Sequence, residues 1–133
     1  MAVLSLLASK CPATQGPIRL LAGLEPDDLN HVLDTTSFVP LTPQTVTSRE
    51  ELIRGLDEIR EQGWAFVDQE LEIGLRSIAA PIFDARGRVV AAANVSLGAN
   101  RFSSDAVKDF LPALLDATGR ISEDMQAAKL QQP

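Results

Sequence analysis

Cysteine is almost missing from this 133-residue chain. Cys11 stands alone, so no internal disulfide can form, a usage that suits a reducing cytoplasm. Histidine is equally scarce: His31 is the only one, set on a helical stretch beside Asp28 and Asp34, and it reads as a solvated surface group. No second imidazole is present to serve Cys11 as a base, which removes the usual Cys–His chemistry. Positive charge is in deficit, with 12 Lys and Arg against 18 Asp and Glu and a net charge of −6. The basic residues form no cluster, and phosphate contacts need one, so direct nucleic-acid binding by this chain is not expected. No apolar run approaches the roughly 20 residues that span a bilayer. Met1–Leu7 lacks the basic flank of a signal peptide and reads as a buried strand or helix end. A Gly-rich phosphate loop, a GxSxG elbow, an HExxH pair and paired-Cys metal spacing are all missing, so no metal and no cofactor are expected.

What is present is a foldable core. The chain is 45 % hydrophobic, and its length fits a single domain that buries about two-thirds of its unfolded surface. Residues 8–16 read as loop, broken by Pro12 and Gly16. Pro17 suits the first position of a short helix over Ile18–Leu24. Glu25-Pro26-Asp27-Asp28 opens a second helix with carboxylates at its positive end, and Leu29, Val32 and Leu33 form its apolar stripe. Thr35–Thr47, with Pro40 and Pro43, favours extended chain. Ser48-Arg49-Glu50-Glu51 is a capping box, and Leu52, Ile53, Leu56 and Ile59 continue at helical spacing to Gly63, which suits a left-handed helix end.

Three β-prone runs follow: Trp64–Val67, Leu75–Phe83 and Arg88–Leu97. Asp84-Ala85-Arg86-Gly87 has type I turn chemistry, so the last two form an antiparallel hairpin. Pro81 donates no ladder hydrogen bond and marks an edge or a bulge at that point. Ser103 or Ser104 caps the final helical region, whose stripe runs from Val107 through Phe110, Leu111, Leu114, Leu115, Thr118 and Ile121 to Met125. Pro112 either kinks that helix or starts a second one. Helices, then adjacent strands, then a long helix predict an α+β fold with an antiparallel sheet.

Alternation along the hairpin places Leu75, Ser77, Ala79, Pro81 and Phe83 on one side, and Val90, Ala92, Asn94 and Ser96 on one side of the next strand. With Phe83 opposite Arg88, residue 77 falls opposite 94, and Ser77, Asn94 and Ser96 gather at one end of an otherwise apolar surface. Hydroxyls and an amide converging beside small alanines suit a small-ligand pocket; a solvated polar end of a sheet fits the same pattern. Asp68, Glu70 and Glu72 form an acidic loop that suits an acid/base pair, a metal, or simple solvation. Arg76 points away from Ser77 and is expected to pair with Glu70 or Glu72, though its guanidinium suits a carboxylate as well.

The stretch Asp68-Gln69-Glu70-Leu71-Glu72-Ile73-Gly74-Leu75-Arg76-Ser77-Ile78-Ala79, followed by Asn94-Val95-Ser96, resembles the C-terminal effector-binding domain of IclR-type transcriptional regulators. It is most similar to the subgroup controlling aromatic-acid (protocatechuate, β-ketoadipate) catabolism. Leu41-Thr42-Pro43 and Thr45-Val46-Thr47 fit the same pattern, and the likeness is specific from about Pro40 to Ile121. Pro17 stands where the family usually has glycine. The resemblance implies a GAF/profilin-like antiparallel sheet flanked by helices, enclosing a small aromatic or dicarboxylic acid. It implies ligand contacts from Ser77, Asn94 and Ser96, with Gln15 and Gly16 on the opposite wall. Val67 falls where some members carry an acidic ligand-binding side chain, a contact that is either lost here or taken by Asp68. The family's winged helix-turn-helix is not in these residues, so 1–133 is expected to be one N-terminally truncated sensing domain, forming a homodimer or homotetramer in the cytoplasm. Readings of other classes are an oligomerisation module without a working pocket, and a small enzyme using Glu70 or Asp68 as base.

Overall fold

The computed structural model describes residues 23–34, 40, 42–70 and 72–130. Its elements are α1 (Pro26–Asp34), α2 (Arg49–Gln62), β1 (Ala65–Asp68), β2 (Leu75–Phe83), β3 (Val89–Gly98), α3 (Ser104–Lys108) and α4 (Leu111–Leu130). The expected strand over Met1–Leu7, the body of the helix over Ile18–Leu24, Cys11, Gln15 and Gly16 lie outside the described residues.

Local chemistry sets the helix ends. Ser48 is extended and its hydroxyl accepts from the Glu51 amide at 3.2 Å. At the other end Gly63 takes φ +86°, and its amide reaches the Ile59 carbonyl. Of the two serines before α3, Ser103 is the cap, accepting from the Ala106 amide at 3.1 Å. Helix α3 ends at Lys108 and α4 begins at Leu111, with Pro112 in its first turn, where a missing N–H costs nothing. Arg49 ties α2 to α1, donating to Asp34 Oδ1 at 2.6 Å and to Asn30 Oδ1 at 2.9 Å.

The sheet is antiparallel in the order β1-β2-β3. Helices cover both faces. Ala65, Val67 and Ala79 face α1 and α2, packing with Leu29, Leu33, Leu52, Leu56 and Ile59. Ile78, Ala80, Ala93, Val95 and Leu97 face α3 and α4, packing with Val107 and Leu114. The fold is α+β, as expected.

Two expectations change. Ser77 pairs with Ser96, and Asn94 with Ala79, so the hairpin register is two residues off the anticipated one. Two one-residue steps add up to it: Phe83 pairs with Val89 in place of the expected Arg88, and a bulge then leaves Val90 as an extra residue on β3, since Ile82 pairs with Ala91. A shift of two keeps every side chain on its face, so the grouping of Ser77, Asn94 and Ser96 survives. The α4 stripe is also narrower than its sequence suggests. Leu114, Thr118 and Ser122 are buried, whereas Phe110, Leu115, Ile121 and Met125 are about 40 % exposed. The helix lies over β2 and β3, and a two-strand width covers only the centre of its apolar arc.

Candidate functional site

The polar cluster is built by strand pairing. Ladder geometry follows from the Ala99 amide bonding the Gly74 carbonyl and the Gln69 amide bonding the Leu75 carbonyl. Counting along the antiparallel strands, Arg76, Ile78 and Ala80 exchange backbone bonds with β3, while Ser77 exchanges its own with Val67 of β1. Ser77 and Ser96 are therefore a non-hydrogen-bonded pair, the closer kind, and their hydroxyl oxygens meet at 2.7 Å. Asn94, two residues along the same face, donates through Nδ2 to Ser96 Oγ at 3.0 Å. Asn94 and Ser96 are exposed and Ser77 is half-buried. Val67 stands directly opposite Ser77 on this face, with its side chain against the α1–α2 core.

The hydrogens of this network can be counted. Ser96 Oγ accepts from Asn94, and one serine donates to the other. Whichever serine donates, the other keeps one O–H to give. The second Asn94 N–H and its carbonyl oxygen complete the set. The cluster thus offers two donors, and at least two acceptors in the Asn94 carbonyl oxygen and Ser77 Oγ, without formal charge.

Asp68 is not brought to that group. It pairs in register with Arg76 on the opposite face, where its Oδ1 accepts from Arg76 Nε at 2.7 Å. This also corrects the partner expected for Arg76: it is Asp68, and neither Glu70 nor Glu72, because β1 carries Asp68 to the position across from Arg76. The same guanidinium donates to the Ala99 carbonyl at 3.2 Å and the Phe102 carbonyl at 2.7 Å, fastening β1 and β2 to the chain that leads into α3.

The acidic turn after β1 is held from outside by two threonines for which no structural role was expected. Thr42 Oγ1 donates to the Gln69 carbonyl and Thr45 Oγ1 to the Glu70 carbonyl at 2.6 Å. Both threonines are buried. Gln69 takes φ +55°, and its side-chain carbonyl accepts the Gly74 amide at 3.1 Å, closing the turn. A Thr-x-x-Thr spacing that bonds its own backbone, as Gln44 N does to Thr42 Oγ1, is the local signal for such a motif.

The hairpin turn carries a carboxyl shifted from its ordinary range. Asp84 Oδ1 accepts the Arg86 and Arg88 amides at 2.8 and 3.0 Å, and Oδ2 accepts from the Arg88 guanidinium. The Arg88 amide, then its guanidinium, hold the Asp84 pKa down at about 2, against an ordinary value of 3.8. A cleft of about 310 Å³ lies elsewhere, between α2, Trp64, Phe66 and Lys108, and of the described residues expected to bind ligand, Val67, Asp68, Ser77, Asn94 and Ser96, none lines it. Among the described residues no three His, Cys, Asp or Glu side chains are grouped to hold a metal, and no helix is long and apolar enough to cross a membrane.

A helix-covered antiparallel sheet with a neutral polar cluster on one face is the architecture of a binding domain. Residues 16–123 match the family model described as bacterial transcriptional regulator IclR C-terminal, and the chain belongs to that family. It is 44 % identical over 100 residues to the Pca regulon regulatory protein of Pseudomonas putida, an alignment covering 74 % of this chain and 34 % of that protein. Its structure is similar to that of the C-terminal domain of the Escherichia coli regulator KdgR, with TM-score 0.76, 35 % identity, and coverage of 85 % of this chain and 69 % of that one. It is likewise similar to the inducer-binding domain of an Acinetobacter PobR double mutant in complex with 3-hydroxybenzoic acid, with TM-score 0.77, 27 % identity, and coverage of 83 % and 63 %. The chain spans about a third to two-fifths of the length of the curated relatives it matches. It is therefore an effector-binding domain of the IclR type. The acid/base enzyme reading falls, because the family and these relatives are transcriptional regulators.

Proposed function

We propose that this chain is the ligand-sensing unit of a cytoplasmic transcriptional regulator, binding a small aromatic or dicarboxylic acid on the sheet face of Ser77, Asn94 and Ser96, with Val67 beside them. The observation that carries the reading is the hydrogen-bonded trio itself. Its two remaining donors suit a carboxylate or carbonyl oxygen, and its acceptors suit a ring hydroxyl. The related PobR domain bound to 3-hydroxybenzoic acid supports the ligand class. Gln15 and Gly16 would supply the opposite wall. Binding acts by differential affinity for two states of the longer regulator.

Thermal denaturation with a panel of hydroxybenzoic and dicarboxylic acids at millimolar concentration tests the reading. At least one acid is expected to raise Tm, and Ser77→Ala is expected to abolish that rise while leaving the unliganded Tm nearly unchanged. No shift with any acid would overturn it.

A further inference from the structure

We infer that the cleft beside α2 binds a small organic cation, an ammonium ion carried on an apolar body. The inference is independent of the acid-binding reading, whose described residues line none of this cleft. The lining sorts by chemistry. Glu51 and Glu58 lie seven residues apart on α2, so both project from one face, and Glu70 joins them from the acidic turn. Thr45 holds that turn in place through the Glu70 carbonyl. These three carboxylates meet a single ammonium, that of Lys108, which leaves the cleft short of positive charge. An anion would be repelled there, and a cation is complementary. Trp64 and Phe66 supply aromatic rings of the kind that hold cations.

Three details select an organic cation. Among the described residues no three carboxylates are grouped to hold a metal ion, so the negative charge suits a larger cation. Lys108 Nζ lies 5.1 Å from the centre of the Phe66 ring, so the chain already seats an ammonium on an aromatic face of this cleft. Lys108 is thus a tethered competitor for the ligand. Gly55 stands between Glu51 and Glu58 on the same helix face, and a Cβ there would meet nothing within 4 Å. Glycine weakens a helix interior, and here it leaves open a volume of about 310 Å³, at the lower end of the range for small-molecule sites.

Trp64 is the only tryptophan, so its fluorescence reports on the cleft directly. The test titrates the full chain with phenethylamine, against 2-phenylethanol and phenylacetate as neutral and anionic probes of the same shape. The amine should change Trp64 emission saturably, with half-saturation at least tenfold below that of either other probe, and should bind more weakly as salt is raised. Glu58→Gln should weaken the amine at least threefold. Lys108→Met, which removes the tethered competitor, should tighten it at least threefold. Gly55→Leu should abolish the response while keeping the far-ultraviolet spectrum and the unfolding temperature, because leucine is the better helix former. The probe series on the parent chain does not depend on any variant folding. An amine that binds no better than the alcohol, phenylacetate that binds as tightly as the amine, Lys108→Met that binds the amine no tighter, or Gly55→Leu and Glu58→Gln that both respond like the parent would each overturn the inference.

Discussion

The two faces of one sheet do different work. Toward α3 and α4 the strands present Ile78, Ala80, Val95 and Leu97, and the space is filled by Val107 and Leu114. Toward α1 and α2 they present Ala65, Val67 and Ala79 at one end, then Ser77, Asn94 and Ser96, whose polar atoms bond each other and remain accessible. Neighbouring residues such as Ser77 and Ile78 therefore belong to opposite economies, one tuned for filling and one for contact. Strand alternation alone separates them. Substitutions one residue apart should thus have unrelated consequences.

The largest expected effect is on the packed face. Ile78 is wholly buried, so Ile78→Ala should cost about 2–5 kcal/mol and lower Tm by roughly 10 °C or more, measured by thermal or urea denaturation. Next is Arg76→Met, which removes the guanidinium from Asp68, leaving it Gln69 Nε2 at 3.3 Å, and from the Ala99 and Phe102 carbonyls; a loss of about 1.5–3 kcal/mol is expected in the same assay. Acid should reveal the hairpin turn. Because the folded Asp84 pKa lies below its ordinary 3.8, the carboxylate stabilises the fold above about pH 4, and that contribution disappears as pH falls toward 2. Asp84→Asn should be less stable than the parent at neutral pH and should lose less between pH 4 and pH 2. The smallest effect on stability belongs to Ser77→Ala, within about 0.5 kcal/mol, although it should erase any ligand-induced shift. If Ser77→Ala proved as damaging as Ile78→Ala, the division between the faces would fail.

Features written in adjacent residues were legible from the sequence. Ser48 caps α2 and Gly63 ends it, through contacts within four residues, while Ser103 as cap of α3 and Pro112 in the first turn of α4 were each one of two alternatives that the local residues left open. The face shared by Ser77, Asn94 and Ser96 was legible too, because parity survives a two-residue shift. The bulge at Val90 was not, since nothing in Arg88-Val89-Val90 marks which residue is left out. The Asp68–Arg76 pair depends on where β1 docks, and the threonine anchors depend on a turn 25 and 27 residues away. The burial of α4 was overread because a stripe records what is apolar and says nothing of how wide its partner surface is.

Pro81 governs this arrangement from a distance. β1 stops at the Ala65–Ala79 pair, just short of the place where Pro81 would have to donate. Were β1 to slide two positions toward the hairpin, Ala65 would meet Pro81 and find no amide there, and Val67 would stand against Ala79. The ring therefore acts as an end stop for the neighbouring strand. It decides that a valine, with neither charge nor hydroxyl, is what Ser77 has for company.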